Sequence, residues 1–441
     1  MSIAAENVKI ATLGPRKVIS PLRLTTDPSD KMGNFVPDEA RVRYQVEINT
    51  GYETHDDIFF EKAGPRQKNF FQPEKTRAAI VTCGGLCPGL NNVIRSAFNE
   101  LHFNYKVKEV LGIRYGYAGL NPAVGLPPIR ITPDMVEDIH LDGGTILGSS
   151  RGPQPEAPIV DYLVKENINL LICVGGDGTQ RGTHDIHTEI ARRKLPIAVV
   201  GVPKTIDNDI QYVWRTFGVS TAIEKSREIL DGAHNEAHGA LNGVGLVKLM
   251  GREAGFIAAG ATMASQEVNF TLIPEVPFDM EGKDGFLAAL LRRIQDRHHA
   301  LIVVAEGAGQ NLLRASTGQR DASGNVRFGD IGLFLKDRII EYFNRAGTPV
   351  SLKYFDPSYF IRSVPANCDD SLLCDQMARH AVHAGMAGKT DMLVGYWHNV
   401  FTHVPIPLAV EEKKRVSPKS ELWRGVLACT GQPREFGGRT A

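Results

Sequence analysis

Cysteine is sparse in this chain: six among 441 residues, at positions 83, 87, 173, 368, 374 and 429. That density excludes a disulfide scaffold, and no pair has the C-x-x-C spacing of a zinc site, which leaves buried thiols in a reducing compartment as the expectation. An excess of either charge is missing too, with 50 basic residues against 50 acidic ones. The chain therefore offers no broad electrostatic footprint to nucleic acid or an anionic membrane, and any positive field must be local. Long apolar runs are absent. Leu301-Ile302-Val303-Val304 is far too short to span a bilayer, and MSIAAENVKIATLGPRK at the start has no apolar stretch of the kind a signal peptide needs. A cytoplasmic location is expected. His184 and His187 could share one helical face, yet no third ligand follows with metal spacing.

What is present is a repeated theme. Residues 1–76 are polar, rich in proline and charge and weakly periodic, and read as an extension that drapes over a domain or a neighbouring subunit. From Arg77 onward, short apolar runs end in glycines and are followed by helical patterns, the signature of an α/β protein with a largely parallel sheet. Ala78–Thr82 precedes Gly84-Gly85, Leu170–Val174 precedes Gly175-Gly176, and Ile197–Gly201 precedes Pro203. A second set, Gly243–Met250, Phe270–Ile273 and Ala300–Ala305, predicts a second α/β domain. A helix capped by Ser220 or Thr221 would lie between the sets, with the crossing near Gly218. Each motif then sits at the carboxyl end of a strand, where open α/β sheets bind ligands.

Three glycine loops are candidates for phosphate binding. Gly175-Gly176-Asp177-Gly178-Thr179 opens a helical stretch from Gln180 to Arg193, so backbone N–H groups can meet phosphate oxygens, and Asp177 is placed to hold magnesium. Alone, the same letters also spell an ordinary capped strand-turn-helix. Gly84-Gly85-Leu86-Cys87-Pro88-Gly89-Leu90-Asn91 lacks both G-x-G-x-x-G spacing and a Walker lysine, which disfavours a dinucleotide fold or a P-loop. Gly143–Gly152 ends with Arg151, a candidate clamp for phosphate oxygens. The densest segment is Pro203-Lys204-Thr205-Ile206-Asp207-Asn208-Asp209, with two carboxylates, a hydroxyl and an ammonium in seven residues. Phosphoryl transfer to an alcohol needs that set: a carboxylate to take the hydroxyl proton and cations to hold the transferring group. Met250-Gly251-Arg252 precedes a helix expected over 253–264, so that Arg252 and the Gly251 amide could share an anion. Lys353 and Arg362 offer two further cations to a dianionic sugar phosphate.

The ordered set GGLCPGLN, GGTILGSSRG, GGDGT, PKTIDND, MGREAG, AEG at 305–307 and SYFIRSVPAN resembles the 6-phosphofructokinase family from about Arg77 to Pro407. The resemblance implies two three-layer α/β/α domains with the active site in the cleft between them. Residues 77–218 with about 363–420 would bind the donor, and 219–362 with about 421–441 would bind fructose 6-phosphate. It also implies an allosteric homo-oligomer, a dimer or tetramer, with shared sites. By the same resemblance Asp207 is the base for the sugar 1-hydroxyl, Thr205 and Asp209 support the acceptor and metal, and Lys204 and Arg252 face the transferred group. Met250, Gly251, Arg252, Glu306, Lys353, Tyr359 and Arg362 would hold fructose 6-phosphate. The donor and its Mg2+ would lie over Gly85, Arg151, Asp177, Gly178 and Thr179, with Tyr115 and Gly182 near a nucleotide.

Two positions speak to the donor. Members that use diphosphate carry aspartate where this chain has Gly178, and an aspartate there opposes the α-phosphate of ATP. Lys204, in contrast, is the residue of the diphosphate users. The combination resembles the long ATP-dependent members of plants, trypanosomatids and some bacteria, so ATP is the expected donor and diphosphate the alternative. Gly243 stands where the short enzymes place an arginine that reaches a neighbouring subunit, so this chain must complete the 6-phosphate site differently. An inactive sugar-phosphate-binding subunit and a lipid or NAD kinase are the remaining alternatives. Asp177, Asp207 and Arg252 argue against the first, and PKTIDND with MGR against the second.

Overall fold

The structure is a computed structural model, and it describes residues 3–27, 29–47, 58–313 and 328–437. Contacts divide the chain into two compact units. Met1–Ile206, Ile210–Gly218 and Ser363–Glu412 form the first, and Asp207–Asp209, Val219–Arg362 and Lys413–Ala441 the second. Residues 413–420 thus group with the second unit, because Lys413 pairs with Asp209 and Glu253 there.

The main sheet of the first unit runs in the order Arg41–Arg43, Phe59–Lys62, Val400–Pro405, Met392–Trp397, Ala198–Pro203, Leu170–Gly175, Arg77–Thr82, Glu109–Ile113 and Ile129–Arg130. Neighbours from Met392–Trp397 to Glu109–Ile113 are parallel, and the outer pairs are antiparallel. A parallel strand must bury both faces, and every residue of Leu170–Gly175 is buried. Leu171, Cys173 and Val199 pack with Leu163 and Ile186 from helices Glu156–Lys165 and Asp177–Arg192. The helix Cys368–Met386 approaches the same sheet so closely that a Cβ on Gly385 would stand 2.3 Å from a methyl of Leu170.

The N-terminal segment is built into this unit. Ala11–Thr12 pairs with Lys389–Thr390 and Val18–Ile19 with Lys68–Asn69, while Arg41–Arg43 and Phe59–Lys62 widen the main sheet. Arg66 is almost wholly buried, its guanidinium 3.0 Å from Glu61 and 3.2 Å from Asp38. Glu61 also meets Lys389 at 2.8 Å and His403 at 3.0 Å. Burial opposes ionisation of Glu61, but the His403 hydrogen bond and the Lys389 charge outweigh it and hold the carboxyl well below its usual range.

In the second unit four parallel strands lie in the order Phe270–Leu272, His299–Ala305, Gly243–Leu249 and Ser351–Phe355. Val244 and Leu246 pack with Phe286 and Leu335 from helices Phe286–Arg297 and Ile331–Arg345. The alternate residues Gly243 and Gly245 meet helix Val219–His238, where a Cβ would come within 2.0 and 2.8 Å of the Ala237 and Ala233 carbonyl oxygens. Only glycine lets helix and strand meet at backbone distance.

Three helix starts differ from the sequence expectation. Ser220 and Thr221 lie inside the first turn of Val219–His238 rather than capping it, and the residue before that helix is Gly218 with φ +92°. The helix expected from Gln180 begins at Asp177. The helix expected from Glu253 begins at Phe256, because the Glu275 carboxylate takes the Gly255 N–H at 2.9 Å. Arg252 therefore stands four residues ahead of a helix end that already has its anion.

Replacing Glu61 with alanine leaves the buried Arg66 and Lys389 cations short of a counter-charge, at an expected cost of about 3 kcal/mol. A chemical or thermal unfolding midpoint equal to that of the parent would show that this network does not tie in the N-terminal segment. The stabilisation from a depressed carboxyl is complete above the ordinary glutamate range and lost as pH falls, so the deficit of the variant should shrink in acid.

Candidate active site

Open α/β sheets bind ligands outside the carboxyl ends of strands where the chain reverses its direction of progress. In the first unit that point lies between Arg77–Thr82 and Leu170–Gly175. From the former the chain moves outward to Glu109–Ile113, and from the latter it moves the other way to Ala198–Pro203. The loops leaving these two strands are the first glycine loop and the GGDGT turn. Hydrogen bonds stitch the neighbourhood together. Gly84 N–H donates to the Ser150 carbonyl at 3.0 Å and the Ser149 hydroxyl to the Gly84 carbonyl at 2.6 Å. Lys204 Nζ donates to the Gly85 carbonyl at 2.6 Å, while its N–H bonds the Gly175 carbonyl at 2.9 Å. Gly85, Lys204 and the stretch leading to the exposed Arg151 are thus gathered at one place.

Asp177 heads its helix, its carboxylate 3.3 Å from Arg181 Nε. Gly178 is exposed, and apart from its own turn of helix nothing lies within 4 Å of the point a Cβ would occupy. Thr179 is buried, and its carbonyl accepts the Tyr117 hydroxyl at 2.8 Å. Tyr115 is 44% exposed, with its ring against Gly148. Gly182 faces the Tyr117 ring, where a Cβ would come within 2.8 Å, so helix packing is itself a reason for glycine there. Magnesium takes one or two carboxylates together with phosphate oxygens and water, and the partly exposed Asp177 beside Gly178 fits that need. No group of three histidine, cysteine or acidic side chains among the described residues could hold a metal unaided. His184 and His187 are engaged by Asp391 at 3.0 Å and Thr390 at 3.1 Å.

In the second unit the adjacent strands Gly243–Leu249 and His299–Ala305 end level with each other, Leu249 opposite Ala305. Their exit loops carry Met250-Gly251-Arg252 and Glu306-Gly307. Glu306 N–H donates to the Leu249 carbonyl at 2.9 Å and Gly307 N–H to that of Gly251 at 3.0 Å. The Arg252 guanidinium lies 4.4 Å from the centre of the Phe328 ring. Burial raises the Glu306 carboxyl, against the pull of the Arg252, Lys248 and Arg362 cations.

Asp207 joins this group through the backbone N–H of Arg252, which bonds its carboxylate. Burial first, then the charges of Asp209 and Glu306, push the Asp207 carboxyl up to about 7, with the Arg252 N–H and Lys413 opposing. Asp209 is paired with Lys413 at 3.1 Å, and Asn208 Oδ1 accepts from Lys414 Nζ at 2.9 Å. Burial pushes the Lys414 ammonium down to about 7 despite the nearby Asp209 charge. Thr205, on the first unit, offers its carbonyl to the Thr216 hydroxyl at 2.6 Å.

Arg362 follows the short helix Ser358–Ile361, its guanidinium 4.5 Å from the centre of the exposed Tyr359 ring. Lys353 is placed otherwise: it is exposed in mid-strand opposite Gly245 and makes no ion pair among the described residues. The lysine whose charge reaches Glu306 is Lys248, which binds Asp330 and Asp356 at 2.9 Å each. Sequence reasoning gave Lys248, inside the strand expected over Gly243–Met250, no separate role, and did not single out Lys413 or Lys414. No spacing rule points to them, because their partners are remote in the chain.

The phosphoryl-transfer reading of these two sets agrees with three comparisons. A model of the phosphofructokinase family matches residues 77–385. The ATP-dependent 6-phosphofructokinase of Borreliella burgdorferi is 48% identical over 432 residues, 96% of either chain. That of Amycolatopsis methanolica is 46% identical over 384 residues, 86% of this chain and 83% of its own. Among solved structures, the pyrophosphate-dependent phosphofructokinase of Marinobacter aquaeolei covers 82% of this chain and 93% of its own with a TM-score of 0.66, and at 18% identity it speaks to the fold alone. Motif order, sheet topology and sequence identity agree, and the chain belongs to the phosphofructokinase family.

Proposed function

We propose that this chain transfers the γ-phosphoryl group of ATP to the 1-hydroxyl of fructose 6-phosphate, giving fructose 1,6-bisphosphate, the committed chemistry of an ATP-dependent 6-phosphofructokinase. The observation that carries the reading is the Asp207 carboxylate, raised by burial and by Asp209 and Glu306 and oriented by the Arg252 N–H. A carboxylate tuned toward neutrality is suited to accept a hydroxyl proton as the phosphorus–oxygen bond forms. The Borreliella and Amycolatopsis relatives are named for the same activity.

In this reading Arg252, Glu306, Tyr359 and Arg362, with Met250 and Gly251, hold the sugar phosphate, and Asp207 removes the proton from its 1-hydroxyl. Lys204, fixed on the Gly85 carbonyl, and Arg252 offset the charge of the transferring group. Gly85, Arg151, Gly178 and Thr179 cradle the donor. Asp177 would hold Mg2+, which neutralises polyphosphate charge when bound. The covalent chain limits the span from Lys204 to Asp207 to about 11 Å, three residues at full extension. A homo-oligomer and a cytoplasmic location belong to the same proposal. No described helix is long and apolar enough to cross a membrane.

Purified protein assayed with each donor separately should form fructose 1,6-bisphosphate from ATP; formation from diphosphate alone would replace the donor assignment. Gly178→Asp should raise the KM for ATP about tenfold or more with the unfolding midpoint unchanged, since open space surrounds that position. Unaltered ATP kinetics would place the donor elsewhere.

Asp207→Ser should lower kcat by about 100-fold or more with modest changes in KM. The pH profile supplies an independent check. A carboxyl raised to about 7 is protonated below that pH, so kcat/KM should fall on the acid side of neutrality rather than near pH 4. A profile flat from pH 5 to 8 would remove Asp207 as the base.

A further inference from the structure

The segment after Glu412 returns to the turn that carries the proposed base, and it does so at consecutive residues. Lys414 Nζ donates to Asn208 Oδ1 at 2.9 Å, and the Lys414 N–H donates to the Asp209 carbonyl at 2.9 Å. Lys413 Nζ lies 3.1 Å from Asp209 Oδ2 and 3.6 Å from Glu253 Oε1. Two residues on, the Val416 N–H donates to Glu275 Oε1 at 2.7 Å, and the same Glu275 carboxylate takes the Gly255 N–H. Residues 413–416 therefore strap the Asp207–Asp209 turn to the loop that presents Arg252.

Asn208 shows why a strap is needed. It has φ +56°, a left-handed conformation that asparagine tolerates but does not strongly prefer over its alternatives. Its neighbours Asp207 and Asp209 carry like charges two residues apart, so repulsion favours opening the turn. Lys414 grips the turn on both sides of its bend, at the Asn208 side chain and the Asp209 carbonyl. Its own ammonium is held 5.1 Å from the centre of the Phe256 ring, the first residue of the helix that follows Arg252. The arrangement fixes Asp207 by geometry rather than by touching a substrate.

The geometry points to Lys414 as a positioning residue for phosphoryl transfer, one that holds the left-handed bend at Asn208 and so aims the Asp207 carboxylate. This inference rests on the proposed reaction. A misaimed base loses rate more than binding, because a displacement of about 1 Å can cost on the order of 100-fold in the chemical step. Lys413 acts beside it as the counter-charge of Asp209.

The test is steady-state kinetics on the full chain. Lys414→Met is expected to lower kcat by about 10- to 100-fold with KM for fructose 6-phosphate and ATP within about threefold of the parent. Lys414→Arg, which keeps a charged donor, should recover most of that loss. Asn208→Gly removes the side chain while allowing the same backbone, and the double variant Lys414→Met with Asn208→Gly should be no slower than the slower single variant. Multiplying losses would show that Lys414 does not act through Asn208, and a parental kcat in Lys414→Met would overturn its role outright. If Lys414→Met fails to fold, the Lys414→Arg and Asn208→Gly kinetics decide in its place: a parental kcat in Asn208→Gly overturns the inference. A parent enzyme without turnover on either donor would instead overturn the proposed reaction and is read before any variant.

Discussion

Two carboxylates in one three-residue turn set the terms for the second unit. Asp207 and Asp209 repel each other, and taking both out of bulk water would be unsustainable without cations and N–H donors. The chain supplies them from two later stretches: Arg252 from the loop after Gly243–Leu249, and Lys413 and Lys414 from the C-terminal segment. Asp207 keeps a raised carboxyl, while Asp209 has a lysine of its own at 3.1 Å.

The first unit meets a different constraint. Its central strands are buried on both faces, so function can appear only where they end, and the residues there must turn at once without bulky side chains. Lys204 converts that crowding into a site: a single ammonium on the Gly85 carbonyl joins loops that leave two non-adjacent strands. The Ser149 and Ser150 contacts to Gly84 add the third loop. Positive charge is thereby gathered at the strand ends, in a chain with no net charge.

Much of this was legible in the sequence, and the reason is periodicity. Apolar runs broken by glycine or proline marked the strand ends, and these in turn marked Asp177, Asp207 and Arg252. What escaped was whatever depends on contacts between distant segments. Lys413 and Lys414 sit in a charged run that reads like a solvated surface, and only the fold shows them at Asp209 and Asn208. Lys248 and Lys353 have equal standing as letters; the strand places one against Asp330 and Asp356 and leaves the other exposed. The helix after Arg252 begins three residues late because Glu275, twenty positions away, takes the Gly255 N–H. The N-terminal segment, polar and weakly periodic, gave no hint that it adds two strands to the main sheet, since its stability lies in the Arg66, Glu61 and Lys389 network rather than in an amphipathic pattern.

The way the two units share the chain has a consequence for biosynthesis. Met392–Trp397 lies beside Ala198–Pro203 in the first sheet, yet the ribosome reaches it only after the whole stretch 219–362 of the second unit has been made. The second unit in turn waits for residues beyond Lys413 before its Asp207–Asp209 turn is secured. Neither unit can be completed before translation nears its end, so the nascent protein exposes an unpaired parallel strand edge while residues 204–391 are made. Such an edge invites association with other chains until Met392–Trp397 covers it, so folding during synthesis, rather than the finished molecule, is the stage most open to that association.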